Sequence, residues 1–306
     1  MLKFVEYIKR PSNLGLSLLN HFGTWLPDKE FLKLCYRFKM GKKLNLKNPQ
    51  TFSEKIQWLK LYNRRPEYTM MVDKYKVKDY VANIIGEQYI IPTLGVWDRP
   101  DDIEWDKLPN QFVLKSTNAG GNCGVIICKD KSVFDKESAI NKLNAGMSLN
   151  LYKISREWPY KNVKPRVIAE EYMEDSVTKE LSDFKFFCFD GKVKALFVGT
   201  ERQKPGEDVK FDFYDENYNH LPFKQGHEHA AVEPAKPRSF ELMKIIASKL
   251  SKGLPHVRID LYEVDGKPYF GEMTFFHFAG TTPFEPEEWD YKFGEWLTLP
   301  EKNFDQ

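Results

Sequence analysis

The chain of 306 residues is poor in cysteine: it has four, and they form neither a CxxC pair nor a dense framework. This spacing excludes a disulfide-built scaffold. The sequence also lacks any apolar run long enough to cross a membrane, and its first residues lack the apolar core of a signal peptide. We therefore expect a cytoplasmic protein.

Nucleic-acid-binding motifs are missing as well, because no helix-turn-helix, zinc-finger or RNA-recognition signature occurs. The sequence contains neither a P-loop nor a Rossmann fingerprint. No internal repeat and no low-complexity segment is present. The composition, 42% hydrophobic and 29% charged, is that of a globular chain with a substantial core. We expect no nucleic-acid partner.

Charge is distributed unevenly along the chain. Residues 1–50 hold ten lysines and arginines but three acidic residues, a local charge of +7 in a chain whose net charge is +2. Such an excess predicts contact with something anionic, either an acidic polymer or the inner leaflet of a membrane. The alternative is a solvated basic face.

A glycine-rich connection follows a buried strand that ends on a lysine. Phe112–Lys115 is the strand, residues 116–124 (STNAGGNCG) are the connection, and Val125–Cys128 returns as a second strand. Backbone N–H groups in a glycine-rich loop approach phosphates closely, and a lysine beside them supplies positive charge. A plain turn is the alternative.

The flanking segments carry further patterns. An apolar run before Pro92, residues 89–91, predicts a short strand, and Arg166–Met173 predicts a strand that turns acidic. Two runs joined by Asp190-Gly191 predict a β-hairpin over residues 182–198. The polar residues 200–237 predict loops, and residues 239–252 predict an amphipathic helix.

A second hairpin carries the charged residues of greatest interest. Residues 257–262 alternate between apolar and polar, Asp265-Gly266 makes the turn, and residues 269–274 return. Asp260 and Glu272 lie on the two strands at positions where they could face each other, a pair of carboxylates that suits Mg²⁺. Arg258 points to the same face as Asp260. An ordinary charged surface hairpin is the alternative.

Five segments together resemble the TupA-like ATP-grasp family over roughly residues 28–301. They are FSEKIQWLKLY, VDKYKVKDYV, LPNQFVLKSTNAGG, DFKFFCFDGKV and the closing residues 289–300. The resemblance implies an α+β ATP-grasp fold in which two lobes clamp ATP. It implies a helical N-terminal extension over residues 1–70 and an ATP-grasp domain over 71–306, with a small lobe at about 110–170 and a C-terminal lobe at about 171–300.

The resemblance also implies roles for single residues. Lys74 and Lys115 look like the lysines that reach the nucleotide phosphates, and Ser116 to Gly124, with Gly120 and Gly121, looks like the loop that closes over them. Glu170, Glu171, Tyr172 and Met173 look like the hinge that contacts adenine. Asp183 stands where a ribose-binding acid is expected, and Lys185 is placed to reach phosphate or substrate. Asp260 and Glu272 look like Mg²⁺ ligands, and Arg258 like the residue that steadies the reacting group.

One position departs from many ATP-grasp enzymes, which have Glu-x-Asn at the second metal position. Here Thr274 follows Glu272 by two, and its hydroxyl is a poorer metal ligand than an amide carbonyl. We therefore expect either that no second metal binds or that water holds it. We interpret His227 and His229, one residue apart in a polar segment, as a coincidence rather than a metal pair, and His277 as structural.

The resemblance implies an ADP-forming carboxylate–amine ligase that uses ATP and Mg²⁺. Members of the family are associated with bacterial surface polysaccharides, so a uronic acid of such a glycan, or of its lipid- or nucleotide-linked precursor, is the expected carboxylate. The expected amine is an amino acid or amino alcohol. Two alternatives stay open: a glycosyltransferase, as such members are often labelled, and a protein that binds ATP without turnover.

Overall fold

The structure, a computed structural model, describes residues 15–19, 23–121, 123–179, 181–200 and 208–302. The helices used below are α1 (Asp28–Met40), α2 (Phe52–Tyr62), α3 (Glu67–Val72), α4 (Val77–Ile85), α5 (Lys136–Ser148), α6 (Leu151–Ser155), α7 (Phe240–Ser251) and α8 (Glu288–Trp296). The strands are β1 (Thr93–Trp97), β2 (Phe112–Ser116), β3 (Val125–Cys128), β4 (Val167–Glu171), β5 (Ser182–Phe189), β6 (Lys192–Thr200), β7 (Lys210–Asp215), β8 (Val257–Val264) and β9 (Lys267–Thr274). Within these ranges no helix has the length and apolar character needed to cross a membrane.

The smaller of two antiparallel sheets has the strand order β1-β4-β2-β3. Phe112 and Leu114 alternate with less buried neighbours along β2, and they pack with Leu143 of α5 in a compact apolar cluster. Because β1 pairs with β4, this lobe begins before residue 110, the boundary that the sequence predicted. The predicted strands of the glycine-rich segment are confirmed.

The larger sheet has the order β7-β6-β5-β8-β9. Its two predicted hairpins are confirmed, and both Asp-Gly turns have positive φ at each residue, from +45° at Asp190 to +77° at Gly191 and Gly266. This is the geometry of the hairpin turns that Asp-Gly favours. Helix α7 covers one face of the sheet, where Phe240 packs on Phe186.

Helices α2 and α3 are part of the large lobe. Thr51 caps α2 in a reciprocal capping box with Glu54. Phe52 and Ile56 on this helix belong to the same apolar core as the larger sheet. A Cβ on Gly294 of α8 would lie 2.1 Å from a carbonyl oxygen of Gln50, so α8 packs directly against the residues that precede α2. The predicted extension over residues 1–70 is therefore not a separate unit throughout, because its part from Gln50 onward packs against the domain.

One secondary-structure prediction was wrong. Residues 89–91 do not form a strand: Tyr89 ends a short 3₁₀ turn, and Ile90 makes an isolated bridge to Phe270 before β1 begins at Thr93. The described part of residues 200–237 is loop-rich, as predicted, with Lys210–Asp215 forming the edge strand β7 beside β6. The first fourteen residues of the predicted helical extension lie outside the described residues.

Candidate active site

The glycine-rich loop between β2 and β3 is closed at its base by a hydrogen bond from the backbone N–H of Ser116 to the carbonyl oxygen of Gly124, 3.0 Å long. Gly124 has φ +69°, and a Cβ there would lie 2.4 Å from Oγ of Ser116, so only glycine fits. Gly121 also has positive φ, and a Cβ on it would meet nothing within 4 Å. The backbone at the loop tip is therefore open to approach.

Lys74 connects this loop to the large lobe. Its amine donates a hydrogen bond to the carbonyl oxygen of Ala119, and it lies 3.9 Å from a carboxylate oxygen of Glu272. Burial lowers the pKa of Lys74 below its ordinary value, although the charge of Glu272 opposes this effect. Lys74 thus lies between the glycine loop and one of the two predicted metal ligands.

Lys115 extends from β2 to Glu170 on β4, with 2.5 Å between its amine and the carboxylate. The amine of Lys78, on α4, binds the other oxygen of the same carboxylate. Burial opposes ionisation of Glu170, but the two lysines lower its pKa to about 2. All three groups are therefore charged at neutral pH, and together they carry one net positive charge.

A cavity of about 770 Å³ is bounded by residues of both sheets. This volume is within the usual range for small-molecule sites, roughly 300–1,000 Å³. The lining includes Lys115 and all four predicted hinge residues, Glu170, Glu171, Tyr172 and Met173. Apolar side chains from both sheets, among them Val113 and Phe184, also contribute. Apolar walls together with several basic side chains make the cavity suitable for a nucleotide.

Asp260 and Glu272 face each other across β8 and β9, as predicted. A β-bulge causes this pairing. Nearer the turn, Leu261 pairs with Phe270, so an unbroken ladder would place Gly271 opposite Asp260. The extra residue at Gly271 shifts the register by one, which brings Glu272 onto the face of Asp260.

Arg258 binds both carboxylates. Its guanidinium donates two hydrogen bonds of 2.7 Å to Asp260 and one of 3.2 Å to Glu272. A further bond of 3.1 Å reaches the hydroxyl of Thr274. Burial opposes ionisation of Asp260, but Arg258 and Lys185 hold the pKa of that carboxyl well below its usual range.

Lys185 bridges two aspartates, with 2.6 Å from its amine to Asp183 and 2.6 Å to Asp260. Asp183 is 1% exposed. It lies in this ion-pair network and not in the cavity lining, where the acid that follows the hinge is Asp175. The ribose role of Asp183 stays a prediction.

Arg258, His277 and Gln225 form a chain of side-chain hydrogen bonds. Arg258 donates to Nδ1 of His277 over 2.8 Å, and because arginine has no acceptor, this nitrogen is unprotonated. Nε2 therefore carries the proton and donates to the side-chain oxygen of Gln225 over 3.0 Å. Burial and the charge of Arg258 lower the pKa of His277 well below its ordinary value. His277 is a hydrogen-bonded core residue, as predicted, whereas nothing in the sequence pattern pointed to Gln225.

The residues present fit a magnesium ion. Carboxylate oxygens of Asp260 and Glu272, with the hydroxyl of Thr274, are the hard donors that Mg²⁺ takes. At 3.9 Å from Lys74, Oε2 of Glu272 is beyond hydrogen-bond distance, and the side chain is 30% exposed. This oxygen is therefore available to a cation.

The structure brings the predicted residues together as two neighbouring groups. Lys115 and the hinge line the cavity. The other group surrounds the two carboxylates of Asp260 and Glu272, with Lys74 joining it to the glycine loop. The loop residues Ser116, Gly120, Gly121 and Gly124 lie outside the cavity lining, as do Arg258, Lys185 and Thr274.

With the fold and this arrangement in hand, the chain can be placed: it belongs to the TupA-like ATPgrasp family, whose model matches residues 54–298. The resemblance of the sequence and the predicted ATP-grasp fold are thereby confirmed. Among curated proteins, no sequence matches the chain significantly.

Several solved structures are similar at low identity. D-Alanine–D-alanine ligase from Helicobacter pylori is 17% identical with a TM-score of 0.42, over 81% of this chain and 69% of that one. D-Cycloserine synthetase DcsG is 17% identical with a TM-score of 0.43, over 88% and 77%. The ATP-grasp ligase PsnB complexed with minimal precursor is 10% identical with a TM-score of 0.39, over 69% of this chain and 54% of that one. The chain thus spans about half the length of that PsnB chain, and scores at this level carry no argument about its activity.

Proposed function

We propose that the protein is an ATP-dependent, ADP-forming ligase that joins an amine to a carboxylate. The observation that carries this proposal is the position of Arg258, which binds both carboxylates of the predicted metal site while Lys74 extends from that site to the glycine loop. Positive groups converge there around two acidic ligands. Positive charge in this position is what a reaction needs when it transfers a phosphoryl group and then develops negative charge on an oxygen.

The chemistry has two steps. The γ-phosphoryl group of ATP is transferred to a carboxylate oxygen of the acceptor, and ADP leaves. The amine nitrogen then attacks the acyl carbon, an amide bond forms, inorganic phosphate leaves, and the amine loses a proton to solvent. Magnesium bound by Asp260 and Glu272 would neutralise phosphate charge. The chain's own residues hold and orient the reacting groups, since phosphoryl transfer needs little covalent help from protein.

Each residue has a distinct part in this scheme. Lys115, fixed by Glu170, directs positive charge into the cavity where the hinge would hold adenine. Arg258 donates toward the oxygen that gains charge when the amine attacks, and His277 keeps the guanidinium in that orientation. Lys185 holds Asp260 in the ionised form that a cation requires.

The acceptor in this proposal is a uronic acid of a bacterial surface polysaccharide or of its lipid- or nucleotide-linked precursor. A second cavity, of about 420 Å³, supports an acidic polymer as partner, because Lys29, Lys33, Lys47 and Lys302 line it together with Tyr62. Lys302 lies over the ring of Tyr62, 4.6 Å from the centroid. We call this group the basic cavity.

Hydroxylamine can replace the unknown amine in a test of the reaction type. Incubated with ATP, Mg²⁺ and a uronic-acid oligosaccharide, the protein should form a hydroxamate and release ADP in equal amounts. Glu272→Gln, which removes one acidic ligand, should abolish both products. Release of a nucleoside diphosphate from a sugar nucleotide with ATP intact would instead identify a glycosyltransferase and overturn the proposal.

A further inference from the structure

A second cluster of ligating side chains lies away from the site described above, at the edge strand β7. Asp212 is on this strand, His220 bridges back to Tyr214 near the end of the strand, and His229 follows a backbone hydrogen bond from Phe211 to Glu228. One ligand atom from each of Asp212, His220 and His229 lies within 4.8 Å of the other two. None of the three belongs to the ATP-grasp site.

Hydrogen bonds do not account for the way this cluster is built. Asp212 is completely buried, and its Oδ2 accepts a bond of 3.2 Å from the backbone N–H of Ala230. Its Oδ1 and Nε2 of His220 are both buried atoms without a hydrogen-bond partner. Leaving two such atoms unsatisfied is costly. One carboxylate oxygen is thus fixed by the backbone, and the other is directed at the histidines.

The two distances from Asp212 are those of ligands around a tetrahedral ion. Oδ1 of Asp212 lies 3.4 Å from Nε2 of His220 and 3.3 Å from Nδ1 of His229. Zinc bonds of about 2.0–2.1 Å at tetrahedral angles place neighbouring ligand atoms about 3.3–3.4 Å apart. Right-angled octahedral bonds of similar length would place them at about 3.0 Å. Two imidazoles also favour zinc over magnesium or calcium.

We propose that Asp212, His220 and His229 bind a zinc ion, with water as the fourth ligand. His220 and His229 are 27% and 25% exposed, so an ion can enter from solvent while the carboxylate stays buried. In the protein without zinc, Nδ1 of His229 lies 3.1 Å from the carbonyl oxygen of Phe211 and can donate a proton to it. Zinc binds Nδ1 in the other neutral tautomer, which carries its proton on Nε2.

The position of the cluster gives the ion a structural role. It fastens residues 216–230 to the edge strand β7, and this segment carries Gln225. Gln225 accepts the hydrogen bond of His277, which in turn accepts one from Arg258. The zinc ion therefore anchors the segment that orients the arginine of the active site.

Zinc binding can be measured directly on tag-free protein stripped with a chelator. Isothermal titration with Zn²⁺, in excess Mg²⁺ to fill other carboxylate sites, should show one equivalent bound. Co²⁺ should give the intense visible absorption of a tetrahedral site. Asp212→Asn, His220→Gln and His229→Gln should each weaken Zn²⁺ binding at least 100-fold, and zinc should raise the melting temperature of the wild type but not of these variants.

His227 provides the matched control. It lies two residues from His229 but packs against Phe211, with 4.2 Å between the centroids of the tilted rings, and it is outside the cluster. His227→Gln should bind zinc as the wild type does. His220→Gln, at a partly exposed position, should keep the wild-type far-UV circular dichroism, so that lost binding is not lost folding. Wild-type protein that fails to bind Zn²⁺, or binding that survives in all three variants, would overturn the proposal.

Discussion

The amine of Lys115 lies 2.5 Å from the carboxylate of Glu170, and this ion pair is at the wall of the cavity. Glu170 also forms an ion pair with Lys78, so removing either lysine leaves the carboxylate with the other as its partner. Lys78, unlike Lys115, is outside the cavity lining. The shared carboxylate therefore binds one lysine that lines the cavity and one that does not. Mutating each lysine separately can distinguish a role in ligand binding from a role in stability.

Lys115→Met should weaken ATP binding at least tenfold, about 1.4 kcal/mol, because it removes the cavity-lining lysine that stands on β2 beside the glycine loop. Lys78→Met should leave ATP affinity within a factor of about two. It should lower the free energy of unfolding by about 1–3 kcal/mol, because it also loses hydrogen bonds to Ile91 and Thr93. Calorimetric titration and denaturant unfolding of both variants test this, and equal effects of the two on nucleotide affinity would contradict it.

Asp260→Asn and Glu272→Gln should each lower kcat at least 100-fold, since each removes one carboxylate charge from the proposed metal site. Their stabilities should differ. Asp260 is 1% exposed and pairs with Arg258 and Lys185, so its replacement removes one carboxylate partner from each of two buried cations and should cost about 3–5 kcal/mol. Glu272 is 30% exposed, and its replacement should cost less than about 1 kcal/mol. Near-normal turnover of both variants at saturating Mg²⁺ would show that the hairpin is structural.

Gln225→Leu should lower kcat about tenfold while KM for ATP stays unchanged. The substitution removes the acceptor for Nε2 of His277, and His277 then no longer fixes the guanidinium of Arg258. Gln225 is not among the described residues that line the 770 Å³ cavity, so ATP binding should not respond. Steady-state kinetics distinguish the cases: a rise in KM for ATP with unchanged kcat would argue against a positioning role.

The stability of the protein should fall as the pH drops below about 6.5. Burial, followed by the charge of Arg258, lowers the pKa of His277 well below its ordinary value, and burial lowers that of His256 to about 3. Between the folded and unfolded pKa values the unfolded chain binds more protons, so unfolding becomes easier as the pH falls. Each histidine should make the free energy of unfolding fall by an amount approaching about 1.4 kcal/mol for each pH unit.

His256→Phe tests this pH dependence. The ring of His256 lies among Phe52, Phe187 and Phe189, so phenylalanine keeps the aromatic packing and removes the titrating nitrogen. In denaturant unfolding between pH 5 and 6.5, the free energy of unfolding of the variant should change with pH about half as steeply as that of the wild type. The same slope in both proteins would mean that His256 does not contribute.

Binding of a polyuronate to the basic cavity should depend steeply on salt. Exposed charges are screened over about 10 Å at 0.1 M ionic strength, so affinity should fall as salt is added. Replacing the exposed Lys29, Lys47 and Lys302 with glutamate should abolish binding, whereas Lys192→Glu with Lys252→Glu, at exposed positions outside that cavity, should not. If both sets of variants lose polyuronate binding equally, the binding is general charge attraction and not a defined site.

The sequence alone determined the local elements and the two-sheet plan. Apolar periodicity located the strands of both hairpins, and Asp190-Gly191 and Asp265-Gly266 defined their turns, because positive φ at adjacent residues is a property of those residues themselves. The capping box at Thr51 is equally local. Local chemistry of this kind needs only a few neighbouring residues, so a sequence pattern can specify it.

Contacts between distant segments were decided by the tertiary structure. The bulge at Gly271 put Glu272 on the face of Asp260, although turn chemistry alone predicts the neighbouring register. The convergence of Lys78 and Lys115 on Glu170 joins a helix to two strands. His229 lies beside Asp212 and not in a pair with His227, because the edge strand β7, which polar composition hid, brings positions 17 residues apart together. Such contacts depend on how whole elements pack, and the order of residues along the chain does not encode that packing locally.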